Sequence, residues 1–571
     1  MLAVVGIAVL PLAWRGTSCG QDFDFHLQNW LEVARSWRQG VVNPHWAASA
    51  NFLAGEPRFV FYPPLSRFLG AALGSVLPWG WTPLAFALVA LLGAAWSFRA
   101  MAREWVGDDN AAVAACLYVL NPYMMFVLYE RGALAELLAA VWVPLLVLYG
   151  LRPGKAADAA DGVRLALVIA ALWLTNAPAA VMSCYLLAVI VAVAGVQARS
   201  WRLVGRAAWA VPLGLALAGF WLVPAIYEQR WVQIDQAIGL LMRVEDSFLF
   251  GYVHLPAGAD PDDVFDMKYH NQVLQSASWI VVALLIASAL AAWRARRRKS
   301  ALWGPLVIAG AGIAALQFRW SDFVWHAVPK LAFLQFPWRW MLVLGMIFAV
   351  LAGLALRAEV PTRRTVAVRA LVLLALAGSM AGLTAARFWQ ACDEDDNVAA
   401  QTQTFQQEGF PGTDEYTLKG VDLDAEGGIS GQDGAAGPIT VMSQVVDTNS
   451  GATGTGPGKR QIAAHVQIVR WQTEHMTAEV TTPVAGFAIL RLMDYPAWRV
   501  TRNGSSAVGV RRNEDGWMAI PVEAGENRID VRWRTTGDAW AGIGLSLGAL
   551  AITLALLWAA RRKLQPDQAR R

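Results

Sequence analysis

Apolar stretches recur along the chain and alternate with shorter polar connectors. Most are close to the roughly 20 residues that an α-helix needs to cross a hydrocarbon core of about 30 Å. We therefore predict a polytopic α-helical membrane protein with about twelve transmembrane helices. The predicted spans are residues 1–14, 81–98, 111–127, 133–151, 164–176, 178–196, 207–227, 277–293, 301–317, 339–356, 366–388 and 539–560.

Three polar stretches are too long to be simple connectors between spans. Two of them, residues 15–80 and 228–276, are predicted outer loops, and loops of this length usually have a function. The third, residues 389–538, has a different composition that is rich in Gly, Thr, Gln and Asp. We therefore divide the chain into a transmembrane bundle at 1–388, an outer domain at 389–538, and a last helix with its tail at 539–571.

The second half of the outer domain is predicted to be β structure. Residues 529–534 alternate between apolar and polar, which is the period of a half-buried strand. Asn503-Gly504 and Asp515-Gly516 are dipeptides typical of hairpin turns. We predict an extracytoplasmic, β-sandwich-like domain, with the Gly-rich segment 420–458 as a mobile loop.

The composition excludes an ordinary soluble domain, because 56% of residues are hydrophobic and 16% are charged. The net charge of +4 is too small to indicate nucleic-acid binding. Basic residues cluster in short connectors, which the positive-inside rule places in the cytoplasm together with both termini. The clusters are Arg99 and Arg103; Arg152, Lys155 and Arg164; Arg199, Arg202 and Arg206; residues 294–299; residues 357–369; and the tail from Arg561.

The first predicted span is short, with 14 residues before Arg15. It lacks a basic n-region and a small-residue cleavage site, so we expect a membrane anchor and not a cleaved signal peptide. A start codon placed too late, and hence a longer true N-terminus, would also explain the short span.

The 4 cysteines in 571 residues do not form a disulfide framework. Cys116 and Cys184 fall within predicted spans and are expected to be small core residues. Cys19 and Cys392 are both predicted on the outer face, so a bridge between them stays open, although we do not expect it.

The first outer loop contains a helical pattern between residues 27 and 37. Its spacing of i, i+3, i+4 and i+7 predicts an amphipathic helix lying in the membrane interface. The apolar positions are Leu27, Trp30, Leu31, Ala34 and Trp37.

Two pairs of short spans are interrupted by hinges, at Asn121-Pro122 and at residues 176–178. Helices that end inside a membrane leave a cavity lined by their tips. Broken backbone survives at that depth only where it is buried or faces water. We therefore expect these hinges to border a site.

The most informative polar cluster follows the first span, in the segment GQDFDFHLQNW from Gly20 to Trp30. Asp22, Asp24 and His26 alternate there with phenylalanines. Acidic side chains at the mouth of an apolar bundle are costly, so they are candidates for function. In a strand all three would share a side, whereas in a helix Asp22 and His26 stack and Asp24 turns away. The alternative is a solvated loop.

Further charged residues lie at the outer ends of predicted spans. Glu130, Arg131 and Glu136, in YERGALAE, form either a surface network at a helix start or a phosphate site around Arg131. Arg339, in QFPWRW, is either an anchor in the aromatic belt or a site residue. His254, His270 and Asp260 to Asp263 match no metal-ligand motif, so we expect a solvated loop there.

Five motifs, in order along the chain, resemble those of the GT-C membrane glycosyltransferases, which use polyprenyl-phosphate-linked sugars. The resemblance is closest to the bacterial 6-pyruvoyl-tetrahydropterin-synthase-related membrane proteins. The motifs are G-x-D-x-x-x-H-L (Gly20 to Leu27), FYPPL (Phe61 to Leu65), RGALAE (Arg131 to Glu136), FPWR (Phe336 to Arg339) and YPAWRV-x-x-NG (Tyr495 to Gly504).

The resemblance implies a GT-C-like bundle with an acidic motif in the first outer loop, beside an interfacial helix. Asp22 then takes the position of the family acid and acts as general base, with Asp24 or His26 orienting it. Paired acids occur in GT-C enzymes that use a divalent metal, so Mg²⁺ or Mn²⁺ on Asp22 and Asp24 is one reading of the pair. The implied substrate- and phosphate-binding residues are Arg58, Tyr62, Glu130, Arg131, Glu136 and Arg339.

We therefore expect a glycosyltransferase that moves a hexosyl or pentosyl group from a polyprenyl-phosphate donor to a lipid, glycan or protein acceptor. The expected location is the bacterial inner membrane, among membrane lipids, with the active face toward the periplasm. One alternative is a transporter or flippase of a lipid-linked saccharide, and another is a non-catalytic envelope scaffold. Ionisable residues gather at the outer ends of the spans and not along a path through them, which favours the transferase over the transporter.

Overall fold

The computed structural model describes residues 1–152, 158–239, 241–256, 258, 260–298, 300–356, 362–421, 438–447, 454–507, 510–512 and 516–568. The chain is mostly helical, and every predicted span falls on one helix or on two consecutive helices. The helices are α1 (Leu2–Ala8), α2 (Leu10–Arg15), α3 (Phe23–Arg38), α4 (Arg58–Phe61), α5 (Pro64–Val76), α6 (Thr82–Val106), α7 (Asp108–Val119), α8 (Pro122–Tyr129), α9 (Leu134–Ala139), α10 (Trp142–Leu151), α11 (Asp158–Thr175), α12 (Ala177–Ala198), α13 (Arg202–Leu217), α14 (Gly219–Tyr227), α15 (Pro261–Ala295), α16 (Trp303–Ala315), α17 (Asp322–Ala327), α18 (Met341–Ala355), α19 (Arg363–Arg387), α20 (Val398–Gln407) and α21 (Gly537–Gln568). Predictions that lie outside the described residues concern Lys155, Lys299, residues 357–361, most of the segment 420–458, Asp515, and the tail beyond 568. The described part of 420–458, predicted as a mobile loop, instead includes a strand at Ile439–Asp447 and the start of another at Gly454–Gln461.

Within the described residues, 7 helices are long and apolar enough to cross a membrane, or up to 9 segments if each bent pair is one span. The single segments are Trp79–Val106, Leu134–Leu151, Ala177–Ala198, Asp263–Arg298, Pro337–Ala355, Arg363–Arg387 and Gly537–Ala560. The bent pairs are α7 with α8 and α13 with α14. The polytopic helical architecture is therefore confirmed, whereas the predicted number of about twelve spans is not.

Both predicted hinges begin a helix with an asparagine cap. The side-chain oxygen of Asn121 accepts a hydrogen bond from the N–H of Met124 at 3.1 Å, and that of Asn176 accepts one from Ala179 at 2.9 Å. Proline follows each cap within the first turn, where its missing N–H costs nothing. The helices α7 and α8 meet at a bend of 42°.

Two predicted boundaries differ from the structure. The first predicted span consists of two helices, α1 and α2, with a break at Val9 and a proline in the first turn of α2. Helix α15 begins at Pro261, so residues 261–276 of the predicted second outer loop belong to this helix. Pro261 is well placed at a helix start, and no glycine or proline interrupts the sequence from there to the end of α15.

The predicted amphipathic helix is α3, but its polar side is covered as well as its apolar side. Trp30 and Glu32 are both fully buried, and Glu32 pairs with Arg35 at 3.0 Å. Thr473 of the outer domain lies 3.4 Å from Ser36. The helix is therefore packed between the bundle and the outer domain, and it does not lie exposed in a membrane interface as predicted.

The predicted β domain is confirmed, and its described strands form two antiparallel sheets of 5 strands each. The sheet orders are β2-β1-β5-β9-β8 and β3-β4-β10-β6-β7. Leu490 and Val531, from different sheets, belong to one buried core, as in a sandwich. Asn503-Gly504 joins β6 to β7, with φ angles of 52° and 81°. The strands are β1 (Ile439–Asp447), β2 (Gly454–Gln461), β3 (His465–Gln472), β4 (His475–Thr482), β5 (Gly486–Met493), β6 (Trp498–Arg502), β7 (Ser505–Ser506), β8 (Arg511–Arg512), β9 (Trp517–Val522) and β10 (Gly525–Trp533).

The first outer loop contributes to the core of the β domain. Trp46 is fully buried, and its ring lies 5.2 Å from that of Trp498 and 5.9 Å from that of Trp533. Tyr495, the first residue of the YPAWRV motif, donates a hydrogen bond to the carboxylate of Glu228. Contacts to both outer loops therefore hold the β domain over one end of the bundle, which we call the β-domain side.

Cys19 and Cys392 form a disulfide, which the sequence left open and which we did not expect. The bridge ties the start of the first outer loop to the start of the outer domain. Gln390 adds to this junction, because its backbone N–H donates to the hydroxyl of Ser18 and its side chain donates to Glu130, both at 2.8 Å. Two segments far apart in sequence are thereby joined beside the acidic cluster.

Candidate active site

Backbone hydrogen bonds join the acidic cluster to the RGALAE motif. The N–H of Asp22 donates to the carbonyl of Arg131 at 2.6 Å, and the N–H of Gln21 donates to that of Glu130 at 3.3 Å. Gly20 permits this approach, because a Cβ there would lie 2.6 Å from the carbonyl oxygen of Glu130. The first outer loop is therefore fixed with Asp22 beside Arg131.

Gly132 shapes the other side of this junction. Its φ of 62° is in the left-handed region that favours glycine. A Cβ at Gly132 would also lie 2.9 Å from the backbone nitrogen of Phe23. The turn ends α8 and leads into α9, which brings Glu136 back toward Arg131.

A chain of charged and polar side chains runs from Asp22 into the bundle. A carboxylate oxygen of Asp22 lies 3.2 Å from the guanidinium of Arg131, which also pairs with Glu136 at 2.7 Å. The hydroxyl of Tyr123 donates to the second oxygen of Glu136 at 2.5 Å. The side chains of Arg131 and Glu136 are 1% and 3% exposed, so this is a buried network and not a surface one.

Arg339 lies near the same carboxylate, with its Nε 3.7 Å from Glu136. Trp338 stacks on the guanidinium of Arg131 at 5.0 Å, and Phe336 stacks on that of Arg339 at 4.9 Å. The Nε–H groups of Arg131 and Arg339 have no hydrogen-bond partner among the described residues. Buried donors are rarely left unpaired, and guanidinium groups bind phosphate well, so these two suit an anionic ligand.

These side chains line a cavity of about 460 Å³, which we call the first cavity. Asp22, Arg131, Glu136 and Arg339 give it a charged region, and residues 176–178 of the second hinge also line it. Asn121 and Pro122 of the first hinge are not among its lining residues. The apolar lining residues are Phe25, Phe61, Pro63, Ala133, Ala135, Ala177, Pro178, Ala237, Ile238, Met242 and Phe333. A charged region within apolar walls suits a phosphate that carries an apolar chain.

The helical conformation of α3 separates Asp24 from Asp22. Asp22 and His26 both line the first cavity, as the helical alternative predicts. Asp24 turns away and lines a second cavity of about 540 Å³, together with Asp393 and Asp396. The structure therefore brings two of the three residues of the acidic cluster into one cavity.

The two residues predicted to hold a divalent metal line different cavities and have different partners. Asp22 pairs with Arg131, and Asp24 accepts a hydrogen bond from the backbone N–H of Phe25 at 2.7 Å. Mg²⁺ requires several oxygen ligands around one position, and Mn²⁺ prefers the same kind of ligand. The residues of this pair do not fit such a site, and we derive no chemical step through a metal.

Another group of potential metal ligands lies outside the first cavity. Glu245, Asp322 and His326 are the one such group of three in the described part of the chain, with ligand atoms within 4.8 Å of one another. Exposed clusters of this kind are common without a metal, so it does not establish a site. His270, one of the ligands considered from the sequence, instead lies with Nε2 3.0 Å from the carbonyl of Asp246.

His26 is a neutral member of the site at physiological pH. It is 3% exposed, and burial lowers the pKa of its imidazole to about 4. Its ring lies 6.3 Å from that of Tyr62, the FYPPL residue that also lines the first cavity. A neutral imidazole can donate or accept a hydrogen bond without adding charge.

Besides Asp24, two other residues predicted in the site lie outside the lining of the first cavity. Arg58 is fully buried, pairs with Glu56, and stacks on Phe25 at 4.6 Å, so it supports the wall from behind. Glu130 is buried against Gln390, and burial raises its pKa to about 7. The contacts of both residues are with other protein groups that hold the wall in place.

The outer segment after α20 supplies cavity residues that the sequence analysis missed. Thr413, Glu415 and Tyr416 line the first cavity, and the ring of Tyr416 stacks on Phe61 at 5.6 Å. Burial raises the pKa of Glu415 to about 7. No local pattern marks Glu415, because its position depends on contacts between distant segments. The sequence analysis also missed Gln335. This residue directly precedes the FPWR motif, and its position next to that motif was a signal that could have identified it.

The fold and the site define a polytopic membrane protein in which the first outer loop, the bundle and the outer segment enclose a charged cavity. The profile of the 6-pyruvoyl-tetrahydropterin synthase related domain, a membrane protein family, matches residues 59–386. The chain belongs to this family, which is the group that its motifs resemble. A search of the curated proteins found no match.

Solved structures of three proteins resemble parts of the chain. The arabinofuranosyltransferase AftD from Mycobacteria is 18% identical with a TM-score of 0.41, over 68% of this chain and 26% of that one. The Archaeoglobus fulgidus oligosaccharyltransferase, in complex with Zn and sulfate, is 14% identical with a TM-score of 0.37, over 69% of this chain and 54% of that one. ArnT from Cupriavidus metallidurans, bound to undecaprenyl phosphate, is 12% identical with a TM-score of 0.31, over 72% of this chain and 88% of that one. The chain thus spans about a quarter of AftD and half of the oligosaccharyltransferase, and these partial likenesses carry no argument about the site.

The family match covers only part of the first cavity. Arg131 and Arg339 lie within the matched residues 59–386, whereas Asp22 and Glu415 lie outside them. The residues that match the family profile therefore include the two arginines of the cavity. The acid beside it comes from a flanking segment.

Proposed function

We propose that the protein is a membrane glycosyltransferase that moves a sugar from a polyprenyl-phosphate donor to an envelope acceptor. One observation carries the proposal: Asp22 lines the same cavity as Arg131 and Arg339, whose Nε–H groups have no described partner. An acid beside unpaired phosphate-binding donors is what transfer from a sugar phosphate requires. The order of the five GT-C-like motifs supports the same class.

In this proposal the donor phosphate lies between Arg131 and Arg339. Guanidinium groups bind phosphate oxygens through charge-assisted, paired hydrogen bonds. Trp338 and Phe336 stack on the two guanidinium planes and hold them in position. The polyprenyl chain follows the apolar part of the lining, near Phe333.

Asp22 is the proposed general base. Its carboxylate takes the proton of the acceptor hydroxyl while that oxygen bonds to the anomeric carbon of the sugar. The bond from the anomeric carbon to the phosphate oxygen breaks, and polyprenyl phosphate leaves with the electron pair. Arg131 and Arg339 stabilise the charge that develops on this leaving group. His26 lies one helical turn from Asp22 and is proposed to orient the acceptor or the carboxylate.

We also propose that transfer takes place on the periplasmic face of a bacterial inner membrane, with both termini in the cytoplasm. The basic connectors support this orientation through the positive-inside rule. The disulfide between Cys19 and Cys392, on the β-domain side, suits an oxidising compartment. The acceptor is a lipid, glycan or protein of the envelope, and the sugar is a hexose or a pentose.

Release of polyprenyl phosphate tests the proposed function. The full chain in lipid vesicles would be incubated with a panel of polyprenyl-phosphate sugars, with crude envelope as acceptor. We expect release from one of these donors, together with transfer of its sugar. Donor binding without release would instead favour a transporter or flippase, and an absence of binding would favour a scaffold.

Replacing Glu415 with glutamine should change the pH dependence of transfer. Burial raises the pKa of Glu415 to about 7, so below that pH the carboxyl is protonated and can donate a hydrogen bond into the first cavity. Above it, the carboxylate adds negative charge near the leaving phosphate, so the rate should fall as pH rises through about 7. Glu415→Gln should abolish this fall, as measured by release rates across the pH range.

Asp414→Asn is the matched control for this experiment. Asp414 is the preceding residue, is exposed, and does not belong to the lining of the first cavity. Its variant removes the same charge and should keep the fall in rate, moved slightly to lower pH, because the charge of Asp414 makes a small contribution to the raised pKa of Glu415. A Glu415→Gln profile identical to wild type would contradict the assigned role.

A further inference from the structure

A separate groove of about 1160 Å³ lies where the β domain meets the membrane helices. It is formed by the end of α14, the strand β6 and the start of α21. None of its lining residues is shared with the first cavity. The groove therefore requires an explanation that is independent of the proposed transfer reaction.

The lower part of the groove is apolar and opens on a face suited to lipid. Val223 and Ala541 line it, and both lie inside candidate membrane spans, close to their ends. Ile226 and Trp540, on the same two helices, are 63% and 62% exposed. Large apolar side chains exposed at a helix end are typical of contact with lipid near the membrane surface.

The upper part of the groove carries two arginines on one face of a sheet. Arg499 of β6 lies opposite Arg532 of β10, so these two residues share a face. Arg534 is two residues beyond Arg532, and its N–H donates to the carbonyl of Ala497 at 2.8 Å, which continues the same register. Arg499 and Arg534 are therefore diagonal neighbours that both line the groove.

The charges on this face are not balanced by nearby acids. Arg532 is neutralised by Asp530 at 2.6 Å, but Arg499 and Arg534 form no ion pair with a described residue. Asp538 is the one acid among the described lining residues. Two neighbouring guanidinium groups repel each other unless an anion lies between them, so the groove has a net preference for an anion.

The floor of the groove is held rigidly. Helices α14 and α21 approach closely, because a Cβ on Gly542 would lie 2.5 Å from the carbonyl oxygen of Gly219. Above this crossing, the hydroxyl of Thr536 donates to Glu228 at 3.0 Å. The apolar and cationic parts of the groove therefore keep a fixed spacing, which suits one kind of ligand.

We propose that this groove binds an anionic phospholipid from the leaflet on the β-domain side. The phosphate lies between Arg499 and Arg534, and an acyl chain passes Val223 and Ala541 into the membrane. A soluble anion would leave the apolar part unused, and a neutral lipid would leave the arginines unpaired. The lipid ties the β domain to the membrane surface, beside the last helix.

Native mass spectrometry of the full chain released from lipid vesicles tests this proposal. Vesicles contain either phosphatidylglycerol mixed with phosphatidylcholine or phosphatidylcholine alone. We expect the wild type to retain phosphatidylglycerol and to retain phosphatidylcholine at least about tenfold less, because the choline cation of phosphatidylcholine is repelled by the two arginines whereas phosphatidylglycerol carries a net negative charge. The double variant Arg499→Gln with Arg534→Gln should lose the retained phosphatidylglycerol by a similar factor.

Arg528→Gln is the matched charge control. Arg528 lies toward the opposite end of β10, is exposed, and pairs with Glu479 at 3.0 Å. The Arg528→Gln variant should retain phosphatidylglycerol to the same extent as the wild type. Ala541→Trp, which fills the lower groove without changing charge, should lose the lipid as the double variant does.

Three results would overturn the proposal. One is retention of phosphatidylglycerol by the double variant at the wild-type level. A second is equal loss in Arg528→Gln, which would reveal a general effect of surface charge. The third is displacement of the lipid by inorganic phosphate at comparable concentration, because the groove would then bind a free anion without need of the acyl chain.

Discussion

Replacing Asp22 with asparagine should reduce sugar transfer by about 10²- to 10⁴-fold, the usual contribution of a general base. Asparagine has nearly the same shape, so the backbone bonds of residue 22 to the RGALAE motif should persist. Arg131 keeps its buried partner Glu136 at 2.7 Å, so the network should stay folded. The measurement is release of polyprenyl phosphate, with donor binding determined in parallel.

Asp24→Asn is the control for this variant, because it makes the same chemical change two residues away. Asp24 lines the second cavity, so we expect transfer close to the wild-type rate. The chelator EDTA should likewise have little effect, since Asp22 and Asp24 line different cavities. Loss of transfer in both variants and with EDTA would instead establish a shared metal, and full activity in Asp22→Asn would exclude the base assignment.

Arg131→Gln should destabilise the protein as well as abolish donor binding. Arg131 is the closest cation to Glu136, and both side chains are almost completely buried. Removing one partner of a buried pair costs about 3–5 kcal/mol, because the remaining charge stays buried without compensation. The expected result is a lower thermal unfolding temperature and loss of binding to undecaprenyl phosphate.

The double variant of Arg131→Gln with Glu136→Gln separates the two effects. Removing both charges should restore much of the stability, whereas phosphate binding should stay lost because the guanidinium is absent. Arg339→Gln is a second comparison, since its Nε lies 3.7 Å from Glu136 and is not within hydrogen-bond distance. It should weaken donor binding with a smaller loss of stability. Recovery of donor binding in the double variant would contradict a phosphate role for Arg131.

Features with a local sequence signal were predicted from the chain alone. The Asn-Pro hinges bend or restart helices where they were expected, because capping and the missing proline N–H act within one turn. The alternation of residues 529–534 produced strand β10, whose burial follows the same period. The motif order also led to the correct family.

Features that depend on distant contacts were not predicted. Glu415 reaches the first cavity only because Thr413 binds Glu56 and Tyr416 stacks on Phe61. Arg58 had the right chemistry for phosphate, but it is used in a buried pair with Glu56 that no spacing revealed. Sequence patterns report the neighbours along one element, whereas the walls of this cavity come from seven separate segments of the chain.

The disulfide between Cys19 and Cys392 has a consequence for how the protein is made. The two cysteines are 373 residues apart, so at about 5–20 residues per second the first waits roughly 20–75 s for its partner to be synthesised. By the end of that interval Asp22 and Arg131 are made, while the segment that carries Glu415 is still missing. The nascent chain therefore passes through a stage with an open, incomplete cavity, and the disulfide can join its two sides before Glu415 and the β domain are synthesised.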